Sequence, residues 1–261
     1  MELTVMTFNL RVNTPVDGSN AWPYRSKQAA ELIRRVAPLV ASTQEGKYDM
    51  LRDLDRELSE YSRIGEGRSG YESGDEAMDE CCCIYYRHDD VVLLKHGQFW
   101  LSETPDEAGS VSWDSSLPRF CTWGLFQLKE KPDLQFYLFN THFDHIGQEA
   151  RVESAKLLLQ KIGESRQGRK VPAVVTGDFN CYPDNPAIAL LKNQLNDAYD
   201  ILGEPVGRTF HEFAGGIEGE PIDYIFTSED MAILETIVYR DEQDGAYPSD
   251  HYPIASRVQL P

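Results

Sequence analysis

The chain has 261 residues, of which 41% are hydrophobic and 11% aromatic, enough apolar material for one large core, though long for a single domain. Its formal net charge is −18, and residues 171–261 hold 16 acidic against 4 basic side chains, a surface that repels a polyanion and argues against tight binding to long DNA. No run approaches the ~18 apolar residues of a membrane span, and no basic-then-apolar N-terminal segment marks a signal peptide.

Taken in order, Leu3 to Leu10 predicts a first strand, with polar Asn9 where that buried strand runs out. Residues 24–37 carry Ala29, Ile33, Val36 and Ala37 at helical spacing, and Pro38 stops the helix. Leu39 to Thr43 predicts a short strand, with Glu45 just past its end. Residues 48–58 place Met50, Leu51, Leu54 and Leu58 on one helical face, and the polar, acidic stretch 65–80 reads as an exposed loop. Strands are expected at Cys81 to Arg87 and Val91 to Leu101, then a long loop over residues 102–118 with Trp113 inside it. Two more strands follow, Arg119 to Leu128 and Leu134 to Phe143, then a helix over residues 148–162.

The stretch Val174-Val175-Thr176-Gly177-Asp178-Phe179-Asn180 has a buried strand's composition, with Gly177 expected to end the strand in a tight turn. Asp178 and Asn180, two apart in an extended segment, would project to one side and could act as base and phosphate-oxygen donor. Taken alone, the pair reads equally as a loop Asp and Asn capping the next helix. A short helix after Pro183 and strands at Ile222 to Phe226, Ile233 to Tyr239 and Ile254 to Leu260 complete the chain. The count is about ten strands and four or five helices, with helices between some strands and hairpins between others. That mixture fits two stacked mixed sheets with helices outside, because a simple parallel sheet needs a crossover helix after nearly every strand.

The five cysteines include the run Cys81-Cys82-Cys83 and lack the paired spacing of a zinc site. All five are read as reduced strand or core residues, which favours a cytoplasmic protein.

The polar residues show a positional pattern. Asn9, Glu45, His142, Asp178, Asn180, Asp223 and the pair Asp250-His251 all fall at strand ends or in adjoining turns, where sheets place their sites. Glu, Asp and Asn oxygens suit a hard cation, and histidines beside aspartates can orient and transfer protons.

In that order, Asn9, Gln44-Glu45, Thr141-His142, Gly177-Asp178-Phe179-Asn180, Ile222-Asp223-Tyr224 and Ser249-Asp250-His251-Tyr252-Pro253 resemble the endonuclease/exonuclease/phosphatase family, over residues 4–260. The resemblance implies an α+β fold in one domain, residues 1–261: a four-layer α/β/β/α sandwich of two mixed β-sheets flanked by helices. It implies phosphoester hydrolysis dependent on Mg²⁺ or Mn²⁺. By position, Glu45 resembles the principal metal ligand, with Asn9 beside it and Asp250 a further metal-shell carboxylate. Asp178 resembles the group that orients or deprotonates the attacking water, Asn180 the donor to the phosphoryl oxygen, Asp223 and His251 the pair at the scissile phosphate, and His142 a phosphate-contacting histidine. Whether Asp178 or His251 takes the proton is open at this level, as is the choice between one metal and two.

Departures from the family bear on substrate. Thr43 precedes Gln44-Glu45 where many members carry an apolar residue, and no basic patch interleaved with aromatics suits duplex DNA. The runs Gln98 to Pro105, Leu117-Pro118-Arg119, Thr122-Trp123 and Thr141 to His145 resemble a bacterial branch that brings no settled substrate. Arg119 starts a strand of mostly apolar neighbours and needs an anionic partner, either a structural carboxylate (Asp144 or another of the site) or a substrate phosphate. Asp144 and His145 are further candidate substrate contacts, and Trp113 a candidate platform. His88, His96 and His211 read as surface or satisfied histidines, Arg151 as a surface or helix-start residue, and Trp22, Trp100 and Trp123 as core. The expected partner is a small phosphorylated molecule. The alternatives are a nuclease on single-stranded or damaged nucleic acid, which the net charge disfavours, and a non-catalytic binding module that kept the fold.

Overall fold

Two parallel strand pairs, each closed by a crossover helix, organise the molecule. The computed structural model describes residues 1–70, 79–168 and 170–261. Strand β1 (Glu2–Asn9) leads through a 3₁₀ segment (Pro15–Asn20) and helix α1 (Trp22–Val36) to β2 (Val40–Gly46), which pairs parallel to β1. Then come α2 (Tyr48–Glu57), β3 (Tyr61–Ile64), β4 (Cys81–Arg87), β5 (Val91–Trp100), β6 (Phe120–Leu128) and β7 (Gln135–His142). Helix α3 (Gln148–Arg166) crosses to β8 (Ala173–Asp178), which pairs parallel to β7. The chain ends with α4 (Pro186–Lys192), β9 (Leu195–Asp197), β10 (Asp223–Ser228), β11 (Ala232–Val238) and β12 (Ile254–Gln259). One sheet runs β11-β12-β1-β2-β4-β3 and the other β5-β6-β7-β8-β10-β9, and all remaining pairings are antiparallel.

The layers follow from side-chain alternation along the strands. On one face of the first sheet, Met6, Phe8, Ala41 and Tyr85 pack with Ile33 of α1 and Leu54 of α2. Val5, Val40 and Ile84 join the larger core, which holds Phe126 and Phe139 of the second sheet with Leu158 of α3 and Ile188 of α4. The result is the helix–sheet–sheet–helix arrangement expected. Local chemistry agrees with it: α1 has Pro23 in its first turn and ends at Ala37 in the left-handed region (φ 48°), and the Asn185 side chain accepts from the Ala187 N–H to start α4.

Polar side chains pin the sheets together just below one edge. Gln44 Nε2 donates to Asn140 Oδ1 at 2.7 Å, and Asn140 Nδ2 donates back to the carbonyls of Thr43 and Cys83, both at 2.9 Å. Thr176 Oγ1 donates to Ser42 Oγ at 2.6 Å. A buried amide with its hydrogen bonds made in both directions fixes sheet-to-sheet position as apolar contact alone does not.

Four readings from sequence change. The short edge strands β3 and β9 were not anticipated. Gly177 lies inside β8, paired with Thr141 and Tyr224, and is required by close approach: a Cβ there would meet the Thr141 carbonyl oxygen at 2.2 Å. Glu45 lies within β2, at a register break between Thr43 and Gly46, rather than past its end. Of the supposed exposed loop, residues 71–78 lie outside the described residues. The rest folds against the sheet: Gly67 bridges to Cys81 and Asp79 is buried. All five cysteines are free and buried. Among the described residues no helix is long and apolar enough to cross a membrane.

Candidate active site

The polar residues collect where β1, β2, β7 and β8 end and β10 and β12 begin. In the register, Asn9 is opposite Gln44, His142 opposite Asp178, and Asp178 opposite Asp223. A cavity of about 380 Å³ opens at this edge, lined among others by Glu45, His142, Asp178, Asn180, Asp250 and His251. Another cavity, of about 260 Å³, lies at the opposite edge near Thr4 and Leu128 and holds none of these residues.

Backbone conformation aims the side chains. Arg11 (φ 55°), Glu45 (φ 61°) and Asn180 (φ 48°) all adopt the left-handed region, which a non-glycine residue enters at a cost that surrounding structure must offset. At Glu45 the offset is direct: Oε1 accepts from Asn9 Nδ2 at 2.9 Å and Oε2 from the Val12 N–H at 2.8 Å. Asn180 is therefore not extended from Asp178. Its N–H donates to Asp178 Oδ1 at 2.9 Å and its Nδ2 donates to the Phe143 carbonyl at 3.1 Å, so one of its two amide hydrogens remains available to a ligand.

The carboxylates are crowded. Asn9 Nδ2 donates to both Glu45 and Asp178, at 2.9 Å each. His142 Nε2 lies 3.5 Å and His251 Nε2 3.8 Å from Asp178 Oδ2. His251 Nδ1 meets Asp223 Oδ2 at 2.8 Å, while Tyr199 and Thr209 hold the Asp223 backbone. The 248–251 turn is clamped by buried Arg25, which donates to the Pro248 carbonyl at 3.1 Å, and by Ser249 Oγ, which donates to the Asn9 carbonyl at 2.7 Å. Asp250 Oδ2 lies 3.6 Å from Arg11 Nε.

These surroundings set protonation. Burial, with the Asp223 charge next, pushes the Asp178 carboxyl up to about 7 against the pull of His251 and its hydrogen bonds. Burial opposes charge on His251, but the Asp223 charge and hydrogen bond, with Asp178 and Asp250, raise it to about 10. Burial, then Arg119 and Arg68, hold His142 well below the ordinary histidine value. Burial also raises Asp250. Burial would raise Glu45, yet the Asn9 amide, the His251 charge and the Val12 N–H bring it below the usual range.

Such a cluster fits a hard divalent cation. Ligand atoms of Glu45, His142 and Asp178 lie within 4.8 Å of one another, as do those of Asp178, Asp223 and His251. Burial and the Asp223 charge raise Asp178, and Asp223 Oδ1 is buried without a hydrogen-bond partner among the described residues. Glu45 and Asp178 offer the carboxylate oxygens that Mg²⁺ or Mn²⁺ takes, whereas Asn9, expected beside the metal, turns its Nδ2 to them and its Oδ1 to the Arg11 N–H.

The remaining candidates separate. Arg119 is buried and lines the cavity, with Nε 3.5 Å from Asp144 Oδ2 and Nη2 3.0 Å from His145 Nδ1. Asp144 thus touches Arg119, as one of the two readings expected, but is not itself a lining residue. Trp113 is half-buried in the loop at φ 58° and is not among the residues that line the cavity. Trp22 and Trp100 are core and Trp123 packs on it. His96 is exposed, His88 Nδ1 meets Ser62, and His211 is buried, its Nδ1 accepting from the Gly215 N–H. Arg151, on the first turn of α3, donates to the Asp144 carbonyl. Sequence reasoning missed Arg68, Arg11 and Phe210, which also line the cavity. Arg68 gave no signal because it sits in the polar stretch read as exposed. Phe210, whose ring centre is 4.9 Å from that of His251, lies in a segment with no periodicity.

The family model described as Endonuclease/Exonuclease/phosphatase family matches residues 6–251. A family protein of Bacteroides vulgatus is 34% identical over 100% of both chains, with a TM-score of 0.92. A mannosyl-6-phosphatase of Bacteroides thetaiotaomicron is 33% identical over 99% of this chain and 100% of its own, with a TM-score of 0.91. The human Nocturnin catalytic domain, 21% identical over 100% of this chain and 94% of its own, shares the fold with a TM-score of 0.77. Among proteins of curated function none matches.

Proposed function

We propose that this chain, which belongs to the endonuclease/exonuclease/phosphatase family, is a divalent-metal-dependent hydrolase of a small phosphorylated substrate, a sugar phosphate being the class its mannosyl-6-phosphatase relative suggests. One observation carries the reading: carboxylates of both sheets, Glu45 and Asp178, meet on the Asn9 amide beside a histidine whose Nδ1 lies 2.8 Å from Asp223 Oδ2. A cation bound at Glu45 and Asp178 would neutralise charge that develops on the phosphoryl oxygens.

The chain's own residues then divide the work. His251 is raised to about 10, so at neutral pH it is an imidazolium with no lone pair to take a proton. Its Nδ1–H is engaged by Asp223, and Nε2–H is left to donate to a phosphoryl oxygen. Asp178, raised to about 7 only while the cation is absent, would be held as a carboxylate beside the bound cation and so could accept the proton of the attacking water. Asn180 supplies a second, neutral donor. Our reading therefore assigns the base, left open by the sequence, to Asp178. The cavity of about 380 Å³ and the net charge of −18 favour a small substrate over a polynucleotide, whose binding would weaken steeply with salt.

The test is phosphate release with Mg²⁺ or Mn²⁺ across phosphorylated sugars, nucleotides, phosphodiesters and nucleic acids, with Asp178→Asn as blank. Hydrolysis of a sugar phosphate, lost in EDTA and reduced ~10²-fold or more in Glu45→Gln, is expected. Unchanged activity and metal affinity in Glu45→Gln would remove Glu45 from the centre, and hydrolysis confined to nucleic acid would favour the nuclease reading.

A further inference from the structure

The cavity has a second chemically defined end. Arg68, Arg119 and His145 line one side of the main cavity, and behind them a cleft of about 10 Å³, room for about one water, is walled by Glu45, Arg68, Glu80, Cys82, Arg119 and His142. Two guanidinium groups share that wall in a chain that carries an excess of 18 acidic side chains.

Arg119 is not fully compensated. Asp144, the carboxylate nearest Arg119, is already saturated: Oδ1 accepts from the Ile146 and Gly147 N–H groups, and Oδ2 from the Ser116 N–H and Oγ–H. It stays 3.5 Å from Arg119 Nε, and that buried Nε–H has no hydrogen-bond partner among the described residues. The side chain is 6% exposed, so the orphan donor is costly unless a ligand uses it. Arg119 Nη2 donates to His145 Nδ1, which makes Nδ1 the acceptor and leaves exposed His145 with an Nε2–H free to donate. Arg68, paired with Glu80, lies beside Arg119 on the same side of the cavity. A planar fork with an unused donor, a second fork beside it and an imidazole N–H make up the donor set that grips an oxyanion.

We propose that Arg68, Arg119 and His145 bind a second oxyanion of the substrate, a phosphate or a carboxylate distinct from the phosphoryl group that reacts at Asp178 and His251. The substrate class becomes a small molecule with two anionic groups, such as a sugar bisphosphate or a phosphorylated sugar acid. That assignment rests on the hydrolase reading, whereas the binding site does not.

Two measurements separate them. First, inorganic phosphate is titrated calorimetrically into the EDTA-treated protein. Saturable binding is expected, weakened at least about tenfold in Arg68→Gln and in Arg119→Gln, the scale of one charge-assisted hydrogen bond, and kept in His251→Asn. Arg119→Lys serves if Arg119→Gln does not fold. No saturable binding, or binding lost in His251→Asn and kept in the arginine variants, overturns the site. Second, with Mg²⁺, kcat/KM is compared for a hexose bisphosphate against the hexose 6-phosphate, and for 6-phosphogluconate against glucose 6-phosphate. At least one doubly anionic partner should be preferred, the first pair reporting phosphate and the second carboxylate, and the preference should collapse toward unity in both arginine variants. Equal kcat/KM within both pairs in the wild type overturns the substrate assignment. Phosphate binding that depends on the arginines in a protein that hydrolyses no phosphoester would leave the site standing and sink the hydrolase reading.

Discussion

The Asp223–His251 pair ties chemistry to stability. Asp223 Oδ2 lies 2.8 Å from His251 Nδ1 in a buried setting, and the histidine's pKa stands at about 10 in spite of burial. A histidine raised on folding contributes stability that is fully present below its unfolded value of about 6.5 and is lost as pH rises through the folded value. Asp223→Asn removes the charge that holds the imidazolium, so the His251 pKa should fall and turnover with it. The stability lost to the mutation should be largest near pH 6 and shrink toward pH 10. Imidazole NMR titrations and urea midpoints at both pH values, in EDTA, check this; identical His251 curves in the two proteins would take the pair out of the mechanism. At this scale the sequence was informative wherever a polar residue interrupted an apolar strand, as at Asn9, Asp178 and Asp223. It was silent on Arg68, whose role depends on how residues 65–70 lie against β4 and not on its neighbours in sequence.

Among the elements, α1 and α2 were legible because each keeps an apolar face, and α3 because Ala155, Leu158 and Ile162 recur at helical spacing along its buried side. β3 and β9 were not, since four and three residues at sheet edges are too short to show alternation. The glycine in β8 was visible, but its reason was not. The sequence suggested a turn, and the structure shows two strands approaching until only hydrogen fits, one residue before the His142–Asp178 pair. Gly177→Ala would set a methyl against the Thr141 carbonyl, backbone that cannot swing aside as a side chain would. We expect a loss of about 2 kcal/mol or more of stability, together with lower activity, because His142 and Asp178 would move apart. A urea midpoint equal to that of the wild type would show that β7 and β8 can part without strain.

At the scale of the molecule, the site is the seam between two sheets. Glu45 and Asn9 come from one sheet and Asp178, His142 and Asp223 from the other, with Gln44 and Asn140 pinning the seam from below. Sequence order indicated that these residues belong together, but it could not say that they come from different sheets, because strand order depends on contacts far apart along the chain. A cation bound across the seam, as proposed, would crosslink the layers as well as serve the chemistry. A ligand that binds only the folded state adds RT ln(1 + [L]/Kd), about 2.7 kcal/mol at a hundredfold excess over Kd, and for a chain of this size each kcal/mol moves Tm by about 2–4 °C. Saturating Mn²⁺ or Mg²⁺ should raise Tm by roughly 5–10 °C over EDTA. The sign of its pH dependence follows from Asp178. With the folded carboxyl raised to about 7, the protein in EDTA keeps a proton there that the unfolded chain releases near 4, so its stability falls as pH rises between those values. The cation must displace that proton below pH 7 and meets a carboxylate above it, so the Tm increment should be larger at pH 8 than at pH 5. Glu45→Gln should lose most of the increment at both pH values while unfolding normally in EDTA. An increment that is the same in wild type and Glu45→Gln would mean that the cation binds elsewhere on this acidic surface and that the seam is held by the protein alone.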